Sequence, residues 1–511
     1  MKLAFLTPCL FVLALVVGIL NRAEPGLDEA MLMLNVPAAH GTALFAPLAL
    51  YDQAAPIGYL AVAHAVTAAV PADPTLVLRG IGAVFALLEI AALYATLAVL
   101  GLRRLAPAVL VFACLTPYTL RYCLEIKQYQ AEATAMAVML LAGACLARKP
   151  CTRTGLLFVL AAAGATVFSF TAPVAIAAVC IAVTLTLLPA WRTGRASLVT
   201  AMAACLAASL ATVLYYALVT RPLVGPQFAV SELTYSEGFL TLTPGTLADV
   251  TAWLRLPRFL VEMLSPTLSG RWGAPGLAAA AALLLFGVVS LLRHSRFLAL
   301  TGAALLGLLY ALNLVHVVPH AASRHVLFLV PLFAIAAAAG LDWVLVRTLP
   351  GRPAALAAVS IGLALLTMGQ SAFQHPTALR PLIATYRQHG PAEPLWAYIG
   401  AQPGLDVVAP DLRPLGSQRR DSMIGLSRDQ VRASMEQSWD LDTLRNGENR
   451  VSAQYLATFR ADLGAGPVLW LLFTAISEAN RTAFLTVARE DGHTCSVQAH
   501  DVGAELYRCV R

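Results

Sequence analysis

Stretches of apolar sequence about as long as a membrane-crossing helix recur along this chain, and five of the short arginine-bearing turns between them contain no acid. The runs lie near 3–20, 76–100, 105–120, 129–147, 155–170, 172–190, 197–219, 273–293, 297–316, 325–345 and 354–370. A helix needs about 20 apolar residues to cross the hydrocarbon core, so several of these are short and their boundaries are soft. The composition points the same way. Hydrophobic residues make up 59% of the 511 positions and charged residues 12%, where soluble domains average about 25% charged. So much apolar surface must face lipid or other membrane helices.

The basic turns set the orientation. Arg103-Arg104, Arg148-Lys149 with Arg153, Arg192 with Arg195, Arg293 with Arg296, and Arg347 with Arg352 all belong on the cytoplasmic side, together with Lys2. That placement requires an odd number of crossings, about eleven, and puts the C-terminus outside. The net charge of +7 is therefore read as topology, not as a nucleic-acid face. Residues 56–70 (PIGYLAVAHAVTAAV) are apolar but short. Counting them as a crossing would invert the later turns, so they are expected to form a helix on the outer surface. The first twenty residues read as an uncleaved first span, since they lack a clear small-residue cleavage site.

Residues 1–370 are therefore expected to form a helical membrane domain with long outer loops at 21–75 and 220–272. From 371 to 511 the composition turns mixed and polar, which suggests a small α/β domain outside the membrane. In it ALRPLIATYRQHG and SEANRTAFLTVARED read as helices, PLWAYIGA, GLDVVAP and GPVLWLLFTAI as strands, and TCSVQAHDVGAELYRCV as a pair of strands. The chain has nine cysteines and no CxxC pair. Most lie in apolar runs and suit packing. Cys495 and Cys509 fall in the polar region, where an oxidising compartment would allow a disulfide and a reducing one a buried thiol pair.

Charges at the mouths of membrane helices are costly to place, which makes them functional candidates. Asp28-Glu29, in EPGLDEAMLMLNV, follows the first span; capping of a short helix explains it equally. The stretch TPYTLRYCLEIKQYQAEATAMAVML gathers Arg121, Glu125, Lys127, Gln128, Tyr129 and Glu132 around one helix mouth. An interfacial anchor accounts for Arg121 and Tyr122, but poorly for Glu125 and Glu132. VHVVPHAASRHVLFLVP carries His316, His320, Arg324 and His325, and an arginine there suits a phosphate. The histidines have no carboxylate nearby in sequence to complete a metal site. Arg221, Trp253, Arg255 and Arg258 border the second long loop, as an interfacial amphipathic helix would.

In layout the chain resembles the GT-C class of polytopic glycosyltransferases, in the style of protein O-mannosyltransferases and the aminoarabinose transferase of lipid A. The likeness is carried by Asp28-Glu29 in the first loop, Pro56-x-Gly58-Tyr59, the Arg79-led span, Glu125-x-Lys127-Gln128-Tyr129, and the helix start at Ser323-Arg324-His325. An Arg-Tyr pair is common in the family at this last position, so no role transfers to His325. The resemblance implies an inverting glycosyltransferase that uses a polyprenyl-phosphate-linked sugar at the periplasmic face of the bacterial inner membrane. Asp28 would be the general base, with Glu29 beside it. Lys127, Arg324 or Arg221 would hold the donor phosphate, and Glu125, Gln128, Tyr129 and His320 would position substrate. Metal use varies across the class, so a divalent cation held by Asp28, Glu29 and Glu125 stays open. The acceptor, whether glycan, lipid or protein, is not implied. The competing readings are a transporter or flippase of lipid-linked saccharides, and a polysaccharide polymerase or ligase. The first is expected to show inverted repeats, and none is visible.

Overall fold

The computed structural model describes residues 2–21, 24–51, 53–191, 194–224, 239–240, 253–264, 266–318, 323–349, 354–371, 378–416, 428–441, 443, 450–464, 466–501 and 503–511. Most of the 220–272 loop, His320, Arg192 and Arg352 lie outside the described residues.

The first helix, α1 (Lys2–Asn21), leads into the 21–75 loop, which contains α2 (Leu27–Met33) and α3 (Ile57–Ala69). At 1.5 Å per residue the 13 residues of α3 span about 20 Å, short of a core of about 30 Å. Next come α4 (Pro74–Val99), α5 (Ala106–Leu110) and α6 (Pro117–Cys123). The expected single span at 105–120 is broken. Thr116 is extended and its hydroxyl caps α6 at the Thr119 amide. The cause is Pro117, which disfavours helical backbone at the residue before it. Among the described residues five helices then follow: α7 (Tyr129–Arg148), α8 (Thr152–Phe168), α9 (Ala172–Leu187), α10 (Arg195–Tyr215) and α11 (Arg255–Leu264). Four more are described after these: α12 (Pro266–His294), α13 (Arg296–Leu314), α14 (Val330–Thr348) and α15 (Ala355–Ser371).

Five helical segments among the described residues are long and apolar enough to cross a membrane: Pro74–Val99, Tyr129–Arg148, Arg195–Val224, Arg296–Leu314 and Val326–Thr348. Shorter apolar helices stand beside them, at Thr7–Asn21, Ile57–Ala69, Thr152–Phe168, Ala172–Leu187 and Ala278–His294. The central helix is α7, whose small residues let neighbours come close. A side chain at Gly143 would collide with Val179 and Phe297. Between α12 and α14 the backbones themselves touch: a Cβ on Gly340 would fall on the Leu283 carbonyl, and one on Gly287 on the Ala336 carbonyl. In lipid, such close packing supplies the attraction that hydrophobicity cannot.

Beyond residue 378 the chain builds a four-stranded sheet. The helices α16 (Arg380–His389) and α17 (Gln402–Val408) flank β1 (Leu395–Ala397). The segment read as a strand at GLDVVAP is thus α17. Pro403 sits in its first turn, where proline is preset for a helix, whereas in a central strand it would remove a ladder bond. The remaining elements are α18 (Arg428–Glu436), α19 (Ala453–Leu463), β2 (Val468–Thr474), α20 (Glu478–Glu490), β3 (Thr494–Asp501) and β4 (Ala504–Val510). The strand order is β1-β2-β4-β3, with β1 parallel to β2 and the other pairs antiparallel. Alternation along β2 sorts the core into two layers. Trp470 and Leu472 face α16 and α17, while Leu469, Leu471 and Phe473 face α19 and α20. A disulfide joins Cys495 to Cys509 across β3 and β4.

Candidate functional site

The short helix α2 starts at Pro25-Gly26, with Gly26 extended as its N-cap. Glu29, in the third helical position, turns back and accepts the Gly26 amide at 2.5 Å. A capping glutamate normally faces water, but this one is 5% exposed. Its carboxylate also accepts both Nη atoms of Arg79, at 2.7 and 3.2 Å, and the Ile126 amide at 2.8 Å. Arg79 projects from the second turn of α4, is 0% exposed, and donates further to the Leu124 and Glu24 carbonyls. Burial of this pair is tolerable because the guanidinium fork and the carboxylate satisfy each other and the surrounding backbone. The result binds three segments into one body: the first loop, α4 and the 124–128 turn. The turn can lie against α4 because of Gly82, where a Cβ would stand 2.5 Å from the Cys123 carbonyl.

Around this buried pair lie the other candidates. Asp28, one position before Glu29, is half-buried. Glu125 is pushed up to about 7, first by burial and then by the charge of Glu29; Arg121 and Lys127 pull against this, and Asp28 adds to it. These mutual effects place Asp28, Glu29, Glu125 and Lys127 within electrostatic reach of one another. The Tyr59 ring, in α3, is buried within the field of Glu29, Glu125 and Arg79. The Lys127 side chain is 6% exposed and donates from Nζ to Gln53 Oε1 in the first loop. Gln128 and Tyr129 follow it into α7, both buried, with Tyr129 edge-on to Tyr122 at 5.6 Å between centroids.

Among the described side chains, no contact joins the remaining candidates to this cluster. Arg221 is exposed at the end of the π-helical continuation of α10, and no described contact joins it to Asp28 or Lys127. Arg324 lies in the 3-10 turn Ser323–Leu329, which packs on α7, and its side chain lies outside the described residues. His316 is in left-handed conformation at φ 59° and stacks on Phe239. For a divalent cation the fit is poor. Glu29 is committed to Arg79 and two amides, and no group of three or more His, Cys, Asp or Glu gathers among the described residues.

Three contributors do not stand out in the sequence as site residues. Arg79 appeared there only as the head of a span, although an ionisable residue inside an apolar run is itself a signal. Gln53 and its neighbour Tyr51 gave no signal, because nothing local sets them apart from other loop residues.

Neither a protein-family model nor a curated protein sequence matches the chain. Solved structures do. ArnT from Cupriavidus metallidurans in the apo state superimposes with a TM-score of 0.55, at 13% identity, covering 98% of this chain and 97% of that one. The same protein bound to undecaprenyl phosphate gives 0.56 at the same identity and coverage. The chain has the GT-C fold. The oligosaccharyltransferase of Archaeoglobus fulgidus, crystallised with zinc and sulfate, gives 0.43 at 13% identity, over 78% of this chain and 61% of its own. The likeness covers 98% of the chain and so runs through both the helical part and the C-terminal sheet.

Proposed function

We propose that this chain is an inverting GT-C glycosyltransferase, moving a sugar from a polyprenyl-phosphate donor to an acceptor hydroxyl at the outer face of a bacterial inner membrane. In this reading residues 1–370 form the catalytic membrane domain and residues 371–511 a periplasmic one. The observation that carries it is the convergence of Asp28, Glu125 and Lys127 on the buried Glu29–Arg79 pair, within a GT-C fold. Support for the donor class comes from a protein of the same fold, which was crystallised with undecaprenyl phosphate.

Asp28 is half-buried at the start of α2, beside the committed Glu29. It takes the proton of the acceptor hydroxyl while that oxygen attacks the anomeric carbon. The bond from that carbon to the phosphate oxygen breaks in the same displacement, the configuration inverts, and polyprenyl phosphate leaves with the electron pair. Lys127 stabilises the charge that grows on the phosphate, with Arg324 and Arg221 as further candidates for this task. Glu29 positions rather than reacts, because both its oxygens are already bonded. Glu125, Gln128 and Tyr129 line the approach and orient substrate.

Asp28→Asn keeps the size and removes the base. Turnover of a polyprenyl-phosphate sugar should drop by about 10²-fold or more, while the thermal transition in detergent stays close to that of the unaltered protein. Undiminished turnover would remove Asp28 from the role of base.

A further inference from the structure

Lys127 is connected to the C-terminal part of the molecule by a path of hydrogen bonds. Its ammonium donates to Oε1 of Gln53. The Gln53 amide nitrogen donates to the Tyr51 carbonyl at 3.1 Å and contacts Met31 Sδ at 3.4 Å. These partners fix the amide's orientation: an ammonium can only donate and a carbonyl can only accept. The Tyr51 hydroxyl in turn donates to Asp406 Oδ2 at 2.7 Å, and the other oxygen of that carboxylate accepts Gln402 Nε2 at 3.0 Å. Asp406 and Gln402 both lie on α17, which packs on α2 of the first loop.

Tyr51 has φ 59°, a conformation that side chains other than glycine adopt at a cost. It persists because the preceding residue is clamped on both sides: the Asn35 amide donates to the Leu50 carbonyl and accepts the Leu50 N–H, each at 3.0 Å. The clamp directs the tyrosine ring outward to α17 and its carbonyl inward to Gln53. Gln53 holds the ammonium through a neutral oxygen, so the grip adds no negative charge where a phosphate is to bind.

We propose that Asp406, Tyr51 and Gln53 are positioning residues through which the C-terminal sheet region sets Lys127 for the phosphate of a polyprenyl-phosphate ligand. This rests on the reading of Lys127 as a donor-phosphate ligand. The path therefore predicts a defect in phosphate binding from a residue in α17, far from Lys127 in sequence.

The test measures binding of undecaprenyl phosphate to the full-length protein in detergent or nanodiscs, beside KM and kcat for a polyprenyl-phosphate sugar. Lys127→Ala, Tyr51→Phe, Asp406→Ala, Gln53→Ala and Gln53→Glu are compared with the unaltered chain. Loss of one such hydrogen bond weakens binding by roughly three- to tenfold. Tyr51→Phe and Asp406→Ala should each raise the dissociation constant and KM by about that factor with kcat retained. The double variant should be no worse than either single, because both cut the same link. Gln53→Glu should bind more weakly than Gln53→Ala, since its carboxylate neutralises the lysine and repels the phosphate. Asp406→Glu should recover part of the loss, which separates positioning from a damaged fold. If Lys127→Ala abolishes phosphate binding while Tyr51→Phe and Asp406→Ala bind as tightly as the unaltered chain, the path is refuted and Lys127 stands. If Lys127→Ala binds undecaprenyl phosphate normally, the phosphate role of Lys127 fails and the path loses its purpose.

Discussion

Glu125 shows how a single residue's chemistry depends on what surrounds it. In sequence it is one acid beside a lysine. In the structure burial and the neighbouring carboxylates hold it at about 7, above the ordinary 4.5. The sign of the resulting pH dependence follows from proton counting. Between those two values the unfolded chain has released the proton that the folded chain keeps, so raising the pH favours unfolding. The stability tied to this group is complete below about pH 4.5 and is lost as pH rises to about 7. Glu125→Gln removes the titration. The difference in melting temperature between variant and unaltered chain should therefore grow in favour of the variant from pH 4.5 to 7. A constant difference across that range would show that Glu125 has its ordinary acidity. Glu29 teaches the complementary lesson. Its position after Pro25-Gly26 announces a cap, and it does cap, but its main partner is Arg79, 50 residues away. No local pattern could have revealed that pairing.

At the scale of elements, composition read well where length and periodicity suffice and failed where a backbone detail intervened. The short apolar stretch at 56–70 forms α3, a helix of 13 residues, as its length requires. The 105–120 run is as apolar as its neighbours, yet Pro117 divides it. In α17 the residues Val407 and Val408 suggest a strand, and Pro403 overrides them. The close approach of the 123–127 turn to α4 is likewise a backbone matter and depends on Gly82. Gly82→Ala would place a Cβ 2.5 Å from the Cys123 carbonyl, whereas the same substitution at Gly80 meets nothing within 4 Å. Both replacements gain helix propensity in α4. Gly80→Ala should therefore leave the melting temperature in detergent level or slightly raised, and Gly82→Ala should lower it. Equal behaviour of the two would mean that the turn does not lie against α4.

The whole molecule is joined at the seam between the first loop and the C-terminal sheet region. Glu24 accepts the Leu379 and Arg380 amides at the start of α16, where the helix dipole favours a carboxylate. Arg380 reaches Asp73 at 3.6 Å, α17 packs on α2, and Val407 closes the apolar cluster beneath. The seam requires residues 24–73 and 379–407 to be on one side of the membrane. A cysteine at the exposed Thr458, in a chain whose unpaired cysteines are replaced, tests which side. It should react with a membrane-impermeant maleimide added from outside to spheroplasts. Labelling only after permeabilisation would invert the proposed orientation.

The sequence by itself determined that the chain is built for a membrane, because its apolar runs are too many and too long for a soluble core. It also marked Asp28-Glu29 and the Glu125–Tyr129 stretch, because charge at a helix mouth is costly and so stands out. Only the tertiary structure decided that these two stretches meet, since the Arg79 fork that joins them acts across 50 residues. It decided equally that Lys127 is gripped from the first loop, and that the grip continues into α17. Hydrogen bonds between distant segments depend on ångström-level placement, and a linear pattern of residue types does not carry that information.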